Sequence, residues 1–144
     1  MIIKQIAAFV ENKIDGVSEI TKILAENKIN IRSTYIADTA EFGILRMIVN
    51  KPEAAAKALS DNGIAVKLSD VIVVEMPDRP GGMGEVLSVL SSGGINLEYL
   101  YAFVGRHDAG AYVIFKAAEP QKAEKLLSDA GISGQNTLFE NLGE

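Results

Sequence analysis

Apolar residues fall along this chain in two alternating rhythms. Residues 3–10 form an apolar-rich run suited to a strand, and a polar turn over 11–16 follows. Val17, Ile20, Ile23 and Leu24 then recur at helical spacing, with Glu19, Lys22 and Glu26 on the other side. Asn27 and Lys28 end that helix. Residues 29–36 alternate apolar with polar, which predicts a half-buried strand; 38–41 turn the chain, and 42–49 give a third strand. Pro52 opens a second helix at a position where its missing N–H costs nothing, with Ala55, Ala58 and Leu59 inward. Gly63 stands where a C-terminal cap is expected, and 64–68 close the set as a fourth strand. The order is β-α-β-β-α-β.

The order then restarts. Val71, Ile72, Val73 and Val74 are consecutive β-branched residues, suited to a strand covered on both faces. Met83, Val86, Leu87 and Leu90 make a helical face closed by Gly93 and Gly94. Strands follow over 95–100 and 110–116, then a helix over 120–130 with Ala123, Leu126 and Leu127 inward. Thr137, Leu138 and Phe139 hint at a closing strand. The halves also match by residue. Gly16 pairs with Gly82, Glu19 with Glu85, Leu24 with Leu90, Asn30 with Asn96 and Tyr35 with Tyr101, all 66 apart (82 − 16). Past short insertions, residues 59–64 pair with 127–132. Such self-similarity is the mark of an internal duplication. The junction falls near Ser69 and Asp70 without a linker, so the expected modules are 1–69 and 70–144. Each is a split βαβ unit of the ferredoxin-like kind, an α+β fold with an antiparallel sheet and helices on one face. Modules this small are expected to lean on each other for stability.

The junction between the first strand and helix of the second half carries the most distinctive chemistry. Pro77 and Pro80 stop the strand and stiffen the loop, while Gly81 and Gly82 let another group approach the backbone. The helix that follows aims its unpaired N–H groups at the same spot, with Asp78 beside it as a cation partner. A plain strand-to-helix turn is the competing reading. The counterpart in the first half, residues 12–17, lacks both the Pro and the first Gly. A turn required only by the fold has little reason to need them in one copy, which favours a ligand role.

Composition narrows the classes. The chain has 144 residues, 48% of them hydrophobic, enough for a folded core. A net charge of −5 opposes a nucleic-acid partner, which calls for a basic face. There is no cysteine and a single histidine, His107, beside Arg106 and Asp108 in a loop. No metal site, cofactor motif or catalytic set is therefore expected. No apolar stretch is long enough to cross a membrane, and a cytoplasmic location is the expectation. Residues 111–115 echo an aromatic strand of RNA-binding modules, yet Tyr112 and Phe115 alternate onto opposite faces and make no stacking platform.

The tandem order, together with Asp78-Arg79-Pro80-Gly81-Gly82-Met83 and Gly94-Ile95-Asn96-Leu97, resembles a pair of ACT domains over nearly the whole chain. The first half keeps Lys28-Ile29-Asn30-Ile31 but departs from the pattern in its loop. The resemblance implies a non-catalytic regulatory protein that senses an amino acid and works beside a metabolic enzyme. It implies a ligand held between modules by Asp78, Arg79, Pro80, Gly81, Gly82 and Met83 of one with Asn30, Ile31 and Arg32 of the other. A mirror site would use Asn12, Lys13, Asp15, Gly16 and Val17 with Asn96 and Leu97. For the two asparagines, strand-entry turn chemistry is an equal alternative. An assembly module without a small ligand is the alternative function. A homodimer is expected, because open sheet edges invite a two-fold partner.

Overall fold

The computed structural model describes residues 1–11, 13–38, 42–104 and 110–134. His107 and the expected strand at Thr137–Phe139 lie outside them. The described elements run β1 (Ile2–Glu11), α1 (Gly16–Glu26), β2 (Ile31–Asp38), β3 (Phe42–Val49), α2 (Pro52–Asp61), β4 (Val66–Met76), α3 (Gly82–Ser92), β5 (Leu97–Val104), β6 (Ala111–Ala117) and α4 (Pro120–Asp129). The described chain divides into an earlier unit, Lys4–Ser69, and a later one that joins Met1–Ile3 to residues 70–134. The expected fourth strand and the next first strand are one continuous element, β4, so the junction at Ser69 and Asp70 falls inside a strand.

In the earlier unit β3 lies between β1 and β2, antiparallel to both. Phe9 donates its N–H to the Ala65 carbonyl, which brings the approach to β4 along the free side of β1. Alternate residues of the strands point into one core: Ile6, Ala8 and Val10 from β1, and Leu45, Met47 and Val49 from β3. Ile20, Ile23 and Leu24 of α1 and Ala55, Ala58 and Leu59 of α2 close it from one side. Val17, expected on the inner face of α1, is instead 39% exposed. It sits in the first turn of the helix, where Gly16 takes the buried position.

The later unit repeats the plan. β6 lies between β4 and β5, again antiparallel, and Ile72, Val74, Val113 and Phe115 meet Val86, Leu90, Ala123 and Leu127. Val71, Ile72, Val73 and Val74 are all enclosed, as a β-branched run covered on both faces demands. Tyr112 and Phe115 are both buried. Glu75 donates its N–H to the Ser133 carbonyl, matching the Phe9–Ala65 bond of the earlier unit. At Val73 the pairing passes to Met1, whose carbonyl accepts the Val73 N–H at 2.9 Å and whose ammonium donates to the Val73 carbonyl at 3.1 Å. Ile2 packs against the later core, which is why the first three residues go with that unit. No helix among the described residues is long and apolar enough to cross a membrane.

Candidate functional site

In the later unit Pro77 to Gly81 connect β4 to α3. Arg79 donates its N–H to the Pro77 carbonyl at 3.0 Å, Gly82 to the Arg79 carbonyl at 3.0 Å, and Glu85 to the Gly81 carbonyl at 3.0 Å. The Arg79–Gly82 bond closes a β-turn with Pro80 and Gly81 in its centre. Gly81 has φ 86° and ψ −7°, the values of the third position of a type II turn, where glycine is favoured. A Cβ on Gly81 would meet nothing within 4 Å, so its need for glycine is conformational. A Cβ on Gly82 would lie 1.9 Å from the Pro77 carbonyl oxygen, so its need is spatial. Asp78, Arg79, Pro80 and Gly81 are exposed, Gly82 is buried and Met83 is half-buried. Arg79 reaches over the helix start to Glu85, with Nη2 to Oε1 at 2.6 Å. The N–H groups of Gly81, Met83 and Gly84 have no acceptor among the described residues, which leaves backbone donors at the surface of the loop.

The first loop is built on the same frame. Lys13 bonds to the Glu11 carbonyl, Gly16 to the Lys13 carbonyl and Glu19 to the Asp15 carbonyl. Each is the counterpart, 66 residues earlier, of a bond in the later loop. Lys13 also approaches Glu19, at 3.8 Å, as Arg79 approaches Glu85. Gly16 is crowded too, though less than Gly82: a Cβ there would lie 2.8 Å from the Glu11 carbonyl oxygen. One residue breaks the correspondence. Asp15, in the place of Gly81, has φ −94° and ψ 1°, which makes this turn type I. Asn12 lies outside the described residues. Lys13, Asp15 and Val17 are exposed.

Asn30, Ile31 and Arg32 form the entry to β2 in the earlier unit. The Asn30 N–H donates to the Asn50 side-chain oxygen at 2.9 Å, and its carbonyl accepts from the Asn50 N–H at 3.2 Å. The backbone of Asn30 is thus spent on strand entry, while its side chain is exposed. Between Ile31 and Ser33 the β2–β3 register shifts, which makes Arg32 the bulge residue. The same shift recurs between Leu97 and Tyr99, at Glu98, beside the exposed Asn96 and half-buried Leu97. Bulges re-aim a side chain and cluster near binding sites, and no residue-level signal in the sequence announces them.

A cavity of about 350 Å³ lies within the earlier unit beside the first loop. Its walls include Lys13, Gly16 and Glu19 together with Phe9 and Phe42. The two phenylalanines are 6.2 Å apart between ring centroids and 46% and 42% exposed. They went unnoticed in the sequence, where each simply continues a strand pattern. Among the described residues no group of three His, Cys, Asp or Glu side chains could hold a metal ion.

Two duplicated ferredoxin-like modules, each with a glycine-dependent loop at the mouth of its first helix, define a tandem α+β architecture. Residues 1–127 match the family model for an ACT domain pair, and the chain belongs to that family. A crystal structure of a protein from Bacteroides thetaiotaomicron is similar at TM-score 0.87 and 38% identity, covering 92% of this chain and 91% of that one. The regulatory subunit of aspartate kinase from Thermus thermophilus, in a ligand-free form, is similar at TM-score 0.62 and 16% identity, covering 90% of this chain and 97% of that one. E. coli aspartokinase III in complex with lysine and aspartate is similar at TM-score 0.50 and 16% identity, over 89% of this chain and 32% of that one. No match was found among the curated proteins.

Proposed function

We propose that this protein is a non-catalytic regulator that binds a free amino acid through the loop from Asp78 to Met83, with Asn30, Ile31 and Arg32 of the other module serving the same ligand. The observation that carries the reading is the later loop itself. Its type II turn leaves exposed backbone donors at a helix start, and its two glycines keep side chains out of the way. An α-carboxylate suits such donors, because N–H groups at a helix start favour negative charge. Asp78 is the natural partner for the α-ammonium, and half-buried Met83 and Ile31 suit an apolar side chain. Membership of the ACT pair family supports the reading, as does likeness to an aspartokinase solved with two amino acids.

Thermal unfolding in the presence of each of the twenty amino acids tests it. A ligand at a hundred times its Kd adds about 2.7 kcal/mol of stability, a plainly measurable rise in Tm. No rise with any amino acid, well above millimolar concentration, would sink the proposal. The alternative, an assembly module that regulates a metabolic enzyme with no small ligand, draws on the Thermus relative, which is a subunit of an enzyme. It predicts capture of a partner enzyme that no amino acid strengthens or weakens. We further propose a cytoplasmic homodimer, for which light scattering should return twice the chain mass of 15.4 kDa.

A further inference from the structure

We propose that the Phe9–Phe42 face of the earlier unit is a two-fold interface at which a second copy of this chain docks. The proposal rests on the homodimer proposed above and assigns its contact surface. Among the described residues the large apolar side chains exposed to solvent are Phe9, Ile14, Val17, Ile36 and Phe42, and all five belong to the earlier unit. Phe9 stands between Ala8 and Val10, whose side chains enter the core, so by alternation it points away from the helices. Phe42 comes beside it from β3, where it pairs with Glu11. Ile14 and Val17 stand on either side of Gly16, which shares the cavity wall with both rings.

The fold does not ask for these side chains. The register puts Glu75 and Gly110 where the earlier unit has Phe9 and Phe42, and a Cβ on Gly110 would lie 2.8 Å from the Glu75 carboxylate. Pro80, Met83 and Ala102 stand 66 residues after Ile14, Val17 and Ile36. One sheet position is therefore aromatic in the first copy of the repeat and charged in the second. The aromatic pair answers to something other than folding, and exposed aromatics gathered on one face mark an interface.

Charge favours a second copy as the occupant. Residues 4–69 carry nine Lys and Arg against eight Asp and Glu, whereas 70–144 carry five against eleven. Two earlier units can meet without the repulsion that two later units would feel. A two-fold contact also requires a surface that complements itself. The rim of this patch does so: Lys13 lies 3.8 Å from both Glu11 and Glu19, and all three are exposed, so each copy brings both signs. A contact of the earlier unit with the later unit of another copy would leave a free patch at each end, whereas the two-fold contact closes at two copies.

Sedimentation equilibrium of the full chain, over a range of concentrations, tests the assignment. Phe9→Glu introduces the residue type that the later unit holds at this position, and Phe42→Thr removes the second ring without a charge. Ile36→Thr removes an exposed apolar side chain of β2 that does not wall the cavity. Far-UV circular dichroism establishes that each variant is folded, and Phe42→Thr decides if Phe9→Glu is not. Wild type and Ile36→Thr should sediment at twice the chain mass of 15.4 kDa. Phe9→Glu and Phe42→Thr should raise the dimer Kd by about thirtyfold or more, the loss expected for an aromatic anchor at an interface centre. A dimer whose Kd neither change raises overturns this inference and leaves the homodimer standing. So does an equal loss in Ile36→Thr, which would move the contact to β2. A wild type that stays monomeric at every concentration overturns the homodimer and this inference with it, and points to a different protein as the occupant.

Discussion

Gly81 and Gly82 are neighbours with different reasons for being glycine. At Gly81 the reason is φ 86° with open space around it. Alanine there is expected to cost about 1–2 kcal/mol, the penalty of a left-handed backbone. At Gly82 the reason is a carbonyl oxygen 1.9 Å from where a Cβ would sit. Gly82→Ala should therefore be the more damaging change, since the strand end must move off the helix; chemical denaturation of the two variants gives the ranking. Tyr112 makes a separate prediction. Burial, with the Glu75 carboxylate adding to it, holds its hydroxyl above the ordinary tyrosine range. The folded state thus keeps the proton more tightly than the unfolded chain. The stability this confers is complete below about pH 10, the unfolded pKa, and is lost as pH rises through the folded one. Tyr112→Phe should flatten the decline in Tm above about pH 10 and leave a neutral-pH comparison free of any titration difference. At this scale the sequence was informative where a residue type has one use. Pro80-Gly81 announces its turn. Ile14 and Asp15 do not, so the shared frame of the two loops was invisible until the hydrogen bonds were in view.

Among the elements, the two repeats have diverged in compensating ways. A Cβ on Gly93, at the end of α3, would lie 2.2 Å from a methyl of Leu126 on α4. The positions equivalent by repeat in the earlier unit hold Asn27 and Ala58, a larger residue and a smaller one. Gly93→Ala alone should lower stability by about 1–3 kcal/mol through overpacking, and Leu126→Ala alone by about 2 kcal/mol, the low end for a leucine because Leu126 is only partly buried. The double variant should be more stable than the sum of the two losses predicts, which a double-mutant cycle measures directly. Helices and strands were the most legible feature of the chain, because burial imposes a period on them. The bulges at Arg32 and Glu98 were not, because a one-residue shift in pairing leaves composition and period almost unchanged. Val17 was misplaced for a related reason: periodicity assigns it a face, but in the first turn Gly16 holds the covered position.

Across the whole molecule, duplication is the dominant fact, and self-matching at 66 residues made it readable. The pairing of Met1 with Val73 was not readable, because nothing local in three N-terminal residues names a partner so far along the chain. Deleting Met1–Ile3 is expected to cost the later unit about 2–4 kcal/mol. Two backbone hydrogen bonds and the packing of Ile2 would be lost together. The ion pair of the ammonium with Glu124, at 3.3 Å, adds little because both groups are partly solvated. Hydrogen exchange at Val73 is the measurement: its amide should lose protection in the truncated chain.

That pairing also sets an order of events during synthesis. Met1 leaves the ribosome before any group it will bond to, and Val73 follows 72 residues later. Residues 4–69 are contiguous and can collapse on their own local contacts as they emerge. The later unit cannot close its sheet until residues 1–3 come back to it. Its closing contact is among the most distant in sequence, and contacts of that kind form slowly. A bulky fusion ahead of Met1 would obstruct that return, and the delay would appear in the half of the protein that is later in sequence.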